Sequence, residues 1–451
     1  MRAHATAEPS ETFARGVARD PYPMYEVLRD AGPVVWSDDV LGGAWLLTRY
    51  ADIVTALQDP RLSAARADAF AQQFDGARQR QLTPFTEAFG RWLLFMDAPH
   101  HSRLRKALNY GFKPAVLEAL RPRIERLVDE LLLPLLSPDM NPVSGNPPRE
   151  FDFIREFAHP LPARVIAEML GVPETEQPRF IRWSDDIVAF MGSLSAGFET
   201  ALRAQDALLD MTAYFGELLA RRAGEQDELQ DLTGLLLAAQ RRGEFAADEE
   251  LLAQCSMFFA AGHETTRNLF GNGLHALLRH PDQAALLRVD PALMPRALRE
   301  LLRYDSPVQF TGRRASEDLR LHGCTIRRGQ HVLLLIGSGN RDPDRFADPD
   351  RLDLTRDQGP PLSFGYGPHV CIGATLSYLE AGIAFARLVA DLPGVRCLDA
   401  DPHWVDNPAF RGLHSLRLTR VAPAGVTPEG LVESKTRAGA MDGTGSWSTA
   451  G

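Results

Sequence analysis

Cys371 stands in the run Phe364-Gly365-Tyr366-Gly367-Pro368-His369-Val370-Cys371-Ile372-Gly373, crowded by three glycines and a proline. Glycine takes positive φ and lets a backbone come close to something flat. Beyond the cysteine, Ile372, Leu376, Leu379 and Ile383 recur at three- and four-residue steps, the apolar face of a helix. Cys371 therefore sits in a glycine-rich loop that opens a helix. Free N–H groups and partial positive charge at a helix N-terminus favour a thiolate. Such a sulfur can be a redox centre, a nucleophile or a metal ligand. The plain alternative is a small packed side chain.

Other groups carry possible chemistry. Residues 247–280 form the longest helical pattern, a rod of ~50 Å at 1.5 Å per residue. Ala261-Gly262-His263-Glu264-Thr265-Thr266 stands in its middle. A mid-helix glycine costs ~1 kcal/mol against alanine, so Gly262 wants a reason, and a flat ligand on the helix would be one. Glu264 beside Thr265 sets an acid next to an alcohol. The plain alternative is a solvated acid and a threonine bonded to the carbonyl four residues back. His101 and Arg105 share a helix face, a cationic pair suited to carboxylates or simply a solvated basic face. Glu300 and Arg303, three apart, can pair on one face.

The spacing of Phe364, Gly367, Cys371 and Gly373 resembles the haem-ligand loop of the cytochromes P450. The resemblance implies that Cys371 is the proximal iron ligand, donating electron density toward O–O cleavage. It implies that backbone N–H groups after the cysteine, at Gly373, tune the sulfur. Phe364 would shield that sulfur and His369 would bind a haem propionate. Residues 261–266 resemble the family's oxygen-activation motif, with Ala261 against the haem, Glu264 and Thr265 as its acid–alcohol pair and His263 as a spacer. Asp97-Ala98-Pro99-His100-His101-Ser102-Arg103-Leu104-Arg105 resembles Asp-Pro-Pro-Glu-His-Thr-Arg-Leu-Arg, departing at Ala98 and His100. By that resemblance His101 and Arg105 bind propionates. Arg313 matches a further propionate-binding arginine, with Arg314 as the alternative. Glu300 and Arg303 resemble the family's buried Glu-x-x-Arg, with Arg356 as third member. Val308 to Phe310 should cross above the haem, residues 192–197 resemble a lid, and a turn within 411–416 should enter the pocket.

The implied fold is mainly α: a large helical domain with a small β lobe, and haem b (iron protoporphyrin IX) between the long central helix and the cysteine-loop helix. The implied reaction is monooxygenation of a small, largely apolar organic substrate by O2, as hydroxylation or epoxidation, in secondary metabolism or catabolism. Haem carries the hard chemistry. No flavin or iron–sulfur motif is present, so family habit implies ferredoxin and its reductase as electron donors. Arg103 and Lys106 would belong to a basic patch for that ferredoxin. Two other readings are a peroxide-driven or rearranging haem enzyme and a non-catalytic haem sensor; the acid–alcohol pair weighs against both. Phe258, Phe259 and Phe310 suggest an apolar pocket, although helical aromatics often serve as core.

Bulk properties agree with such a protein. Of 451 residues, 45% are apolar and 24% charged, ordinary for a globular chain. A net charge of −10 argues against general nucleic-acid affinity. Cys255, Cys324, Cys371 and Cys397 are widely spaced and read as reduced thiols of a cytoplasmic protein. Met1 to Asp20 has no apolar core, and Leu131 to Leu136 is too short to span a bilayer, so no membrane association is expected. Residues 1–18 and the Gly/Ser/Thr-rich 422–451 should be disordered, flanking one domain at 19–421. Pro33 to Tyr50 reads as a hairpin, and 319–336 as strands around a turn at Arg328-Gly329.

Overall fold

The computed structural model describes residues 20–136, 150–194, 196–223 and 231–420. The segments expected to be disordered, 1–18 and 422–451, lie outside those residues. The helices of eight residues or more are α1 (Tyr22–Ala31), α2 (Tyr50–Gln58), α3 (Thr83–Gly90), α4 (His100–Leu108), α5 (Pro114–Leu136), α6 (Pro160–Met169), α7 (Gln177–Met191), α8 (Phe198–Ala223), α9 (Leu232–Arg241), α10 (Asp248–Arg279), α11 (Pro281–Val289), α12 (Met294–Tyr304) and α13 (Ala374–Asp391). The strands are β1 (Val34–Ser37), β2 (Ala44–Leu47), β3 (Leu62–Ser63), β4 (Glu150–Asp152), β5 (Thr311–Ala315), β6 (Leu319–Leu321), β7 (Cys324–Ile326), β8 (His331–Leu334), β9 (Val395–Cys397) and β10 (Arg417–Arg420). The expected class, a large helical body with a small β lobe, is what the structure has.

α10 is the axis. Asp248, Glu249 and Glu250 occupy its first turn, where negative charge meets the positive end of the helix. Farther along, Cys255, Phe259, His263, Phe270 and Leu274 are all buried. A helix apolar on every side belongs in a core, and α6, α7, α8 and α12 pack around this one. Gly273 is needed there: a Cβ would lie 2.6 Å from the Phe385 ring of α13.

The sheet flanks this body. Its five strands run β1-β2-β8-β5-β3. In the β1–β2 hairpin Trp36 faces Trp45, edge to face at 5.1 Å. Gly43, at φ 123°, lets the chain pass Trp36, whose ring a Cβ would meet at 2.6 Å. β5 pairs antiparallel with β8 and sets Arg313 opposite Val332. A three-stranded sheet, β4-β10-β9, and the β6–β7 hairpin complete the lobe.

Strands flank the turn at Arg328-Gly329 as expected, β7 before it and β8 after it. The hairpin in 319–336 closes at His322-Gly323, where both residues have positive φ, 49° and 80°. A two-residue loop of that kind matches strand twist. The turn at Arg328-Gly329 exists separately, with Gln330 N–H donating to the Arg327 carbonyl at 3.1 Å. The helical run that begins beyond β4 is interrupted at His159, because Pro160 has no N–H to donate.

The Glu300–Arg303–Arg356 group is assembled as expected. Arg303 grips Glu300 with two bonds, 2.7 and 2.8 Å, and both side chains are 2% exposed. Arg303 also donates to the carbonyls of Asn340, Pro349 and Arg351, at 2.9, 2.7 and 3.2 Å. Arg356 reaches Glu300 at 3.1 Å. The cluster ties α12 to the chain that leads toward Cys371. Arg303→Ala strips the buried carboxylate of its main partner, and breaking a buried pair costs about 3–5 kcal/mol. Urea unfolding of the haem-loaded variant should read that loss; a change below about 1 kcal/mol, the range of surface pairs, would contradict it.

Candidate active site

The loop before α13 is shaped by Gly365 and Gly367, at φ 72° and 70°. A Cβ on Gly367 would come within 2.8 Å of the Gln58 side chain, so this glycine also permits close packing on α2. The Cys371 N–H closes the loop on the Phe364 carbonyl at 2.8 Å. Burial pushes the Cys371 thiol pKa up, while the Gly373 N–H, the Arg105 charge and the Ala374 N–H pull it down. The sulfur lines a cavity of about 370 Å³. The Phe364 ring stands edge-on to Tyr378 at 5.1 Å.

α10 supplies the facing wall. Ala261, Gly262, Glu264, Thr265 and Thr266 line the same cavity, and His263 does not. The Thr265 hydroxyl donates to the Ala261 carbonyl at 3.0 Å, which leaves its oxygen free to accept. Glu264 is not open to solvent: Arg267 donates to one oxygen at 2.8 Å and Asn268 to the other at 3.1 Å. A Cβ on Gly262 would meet nothing nearer than Ile166 at 3.7 Å. Helix packing therefore does not require that glycine, and its place on the cavity wall is what sets it apart.

A cationic flank joins the two walls. His101 and His369 stack with ring centroids 4.0 Å apart. Burial, then the neighbouring His101, takes the His369 pKa down to about 3. Burial, then Arg105, also lowers that of His101, whose Nε2 is buried without a hydrogen-bond partner among the described residues. Arg105 donates to the Val370 carbonyl at 2.6 Å. Arg313 is 5% exposed, and burial lowers its pKa to about 10. Arg66, which the sequence did not single out, lines the cavity beside it, and burial followed by the Arg313 charge lowers its pKa to about 9. Among the described residues neither arginine has a carboxylate within ion-pair distance: Arg66 donates to the Ala64 carbonyl and Arg313 to that of Gly312. Arg314, the alternative to Arg313, is taken up by Asp68 at 2.9 Å.

Val188, Met191, Leu194, Phe258, Val308 and Phe310 give the cavity an apolar lining. Phe259 turns the other way into the core, 4.9 Å from Phe180. The turn that reaches the cavity is Ala409-Phe410 rather than 411–416, because Arg411 is held by Asp305 at 2.6 Å. Arg103, expected in an open basic patch, is bound by Glu250 at 2.6 Å and donates to the Glu244 carbonyl at 2.7 Å. Lys106 is exposed.

The cytochrome P450 family model matches residues 64–290 and 291–392. The chain belongs to that family. It is 39% identical over 387 residues to the vitamin D(3) 25-hydroxylase of Pseudonocardia autotrophica, covering 86% of this chain and 90% of the relative. It is 37% identical to the cytochrome P450 monooxygenase PikC of Streptomyces venezuelae, covering 88% and 91%. Among solved structures, P450BioI in complex with an acyl carrier protein ligated to hexadec-9Z-enoic acid superposes with a TM-score of 0.81 at 32% identity, covering 90% of this chain and all of that one. This cytochrome P450 is a haem monooxygenase. It uses O2, a small organic substrate and electrons from redox partners. Among the described residues no helix is long and apolar enough to cross a membrane.

Sequence reasoning also passed over Glu380, although an acid one turn after Leu376 interrupts the apolar stripe of α13. Glu380 is 2% exposed and lines the cavity, with Oε2 unpaired among the described residues. Burial raises its pKa to about 8. The folded protein then keeps this proton where the unfolded chain has lost it, so stability falls as pH rises from about 5 to 8, by up to about 1.4 kcal/mol per pH unit. Glu380→Gln should flatten that slope in thermal midpoints of the haem-loaded protein. Parallel wild-type and variant profiles would mean that Glu380 ionises normally.

Proposed function

We propose that Cys371 is the thiolate ligand of a haem b held between α10 and the Cys371 loop. The observation that carries this reading is one cavity lined by Cys371, Thr265 and two arginines, Arg66 and Arg313, that donate to backbone carbonyls and have no ion-pair partner among the described residues. Two propionates are the charge that such a flank needs. His101, Arg105, Arg313 and His369 would bind them, joined by Arg66. Phe364 and Gly373 would form the sulfur's surroundings, and Ala261 would lie against the macrocycle. The sequence has no Cys-x-x-Cys-His, which supports non-covalent attachment. When bound, haem supplies the dioxygen chemistry that side chains lack.

The chain's own part is to position, exclude water and move protons. Thr265, bonded to Ala261, presents an acceptor to a cavity water. Glu264 lies next in line, its charge balanced by Arg267. Proton delivery would run from solvent to Thr265 by way of Glu264, which would leave Arg267 for water, take up a proton from it and pass that proton on. The apolar walls and the hydroxylase activity named for the Pseudonocardia autotrophica relative support hydroxylation or epoxidation of a largely apolar molecule in secondary metabolism or catabolism. Ferredoxin and its reductase are the proposed donors, since the chain carries no flavin or iron–sulfur motif. Four free cysteines fit the reducing cytoplasm.

Cys371→Ser tests the ligand directly. The reduced carbon monoxide complex should lose the red-shifted band of thiolate ligation; a variant that keeps it has another ligand. Thr265→Ala tests proton delivery, for which a positioned group is worth ~10²–10⁴-fold. Haem content and NAD(P)H consumption should stay near wild type while hydrogen peroxide rises and product falls. Unchanged product per NAD(P)H would remove Thr265 from the proton route.

A further inference from the structure

On the side of α10 turned away from the cavity, His263 meets His159 and Asp185. Each offers one ligand atom, and these atoms lie within 4.8 Å of one another. The three come from different elements: His159 precedes α6, Asp185 is on α7 and His263 is on α10. We infer that His159, Asp185 and His263 form a site for a divalent transition-metal ion that pins α7 against α10.

The chemistry is that of a borderline ion such as Zn²⁺. Two imidazoles and one carboxylate are a recurrent ligand set, with the remaining position left to water. At Zn–N and Zn–O lengths near 2.1 Å, tetrahedral ligand atoms stand about 3.4 Å apart. His159 Nε2 and Asp185 Oδ1 are 3.5 Å apart, close to that edge and long for a hydrogen bond. The wider separations close with shifts of about 1 Å in the two partly exposed side chains.

His263 is the fixed member. It is fully buried, and a neutral imidazole is the form that binds metal. Its ring nitrogens have only long contacts, 3.2 Å to the His159 carbonyl and 3.4 Å to the Ser184 hydroxyl. One nitrogen can take a metal while the other keeps its partner, the usual arrangement around a ligating histidine. Arg267 is the nearby cation that would oppose a metal, and Glu264 neutralises it at 2.8 Å. Asp185 and His159 have side chains 47% and 25% exposed, so an ion reaches the site from solvent.

The consequence lies in what the three helices carry. Val188, Met191 and Gly192 line the cavity one to two turns beyond Asp185. Gly262 and Glu264, on either side of His263, line it too. An ion here restrains the cavity's cover against its wall, so metal availability adjusts how readily the cover moves.

The test uses tag-free, haem-loaded protein, stripped with EDTA and titrated with Zn²⁺ by calorimetry. One equivalent should bind with micromolar Kd. Asp185→Asn and His159→Asn, at partly exposed positions that leave the buried His263 in place, should each weaken binding at least tenfold. Hydrogen–deuterium exchange of residues 177–191 should slow with Zn²⁺ in the wild type and not in Asp185→Asn. Absent binding, binding equal in both variants, or unaltered exchange in the zinc-loaded wild type would each overturn the proposal.

Discussion

Positive charge gathered on the cavity wall with no ion-pair partner among the described residues is the constraint around which this protein is arranged. Arg66 and Arg313 stand side by side on the cavity wall, and next to them two histidines stack in neutral form. Removing such ions from water costs several kcal/mol each when nothing balances them. Asp97 is the carboxylate that acts on both arginines, from beyond ion-pair distance, and its oxygens are taken by the Ser63 hydroxyl and the Ala64 N–H. In the proposed site a dicarboxylate macrocycle would bring negative charge to this flank while filling the space beside it. Cofactor loading and stability are thus linked, as for any ligand that binds the native state alone.

The other elements keep that flank and the Cys371 sulfur in register. α10 forms the distal wall and is locked in the core on its other sides. From behind, the Glu300–Arg303 pair spends its remaining donors on backbone carbonyls of the chain leading to the loop, so α12 and the loop move together. The loop itself closes through the Cys371 N–H to the Phe364 carbonyl, with positive-φ glycines taking the bends. None of these contacts touches a reacting atom, yet each fixes where the sulfur points.

The sequence was legible where chemistry imposes a spacing. Phe364, Gly367, Cys371 and Gly373 are tied by one loop, and Glu264 and Thr265 by adjacency on one helix. The long apolar pattern of 247–280 was legible for the same reason, since a period persists over many turns. Arg66 was not, because it lies in a stretch without period and matters only through β5, some 250 residues later. Glu380 gave a local signal, an acid within an apolar stripe, but its isolation depends on what α10 and α13 leave between them. The Ala409-Phe410 turn could not be fixed from its own residues, because Asp305 decides where Arg411 goes.

Helical geometry accounts for the division of labour along α10. Successive residues are rotated by about 100°. Gly262, Glu264 and Thr265 therefore sweep the cavity side while His263 points to α6 and α7. Glu264 sits at the margin of the two faces, which is why it both lines the cavity and bonds Arg267 and Asn268 on the next turn. An acid so placed is shielded from bulk water and held by its arginine. It can pass a proton inward only when that pairing loosens. In the proposed proton route that exchange would take place on the same helix whose far side packs on α7, so the cavity's cover and the proton route would share one mechanical support.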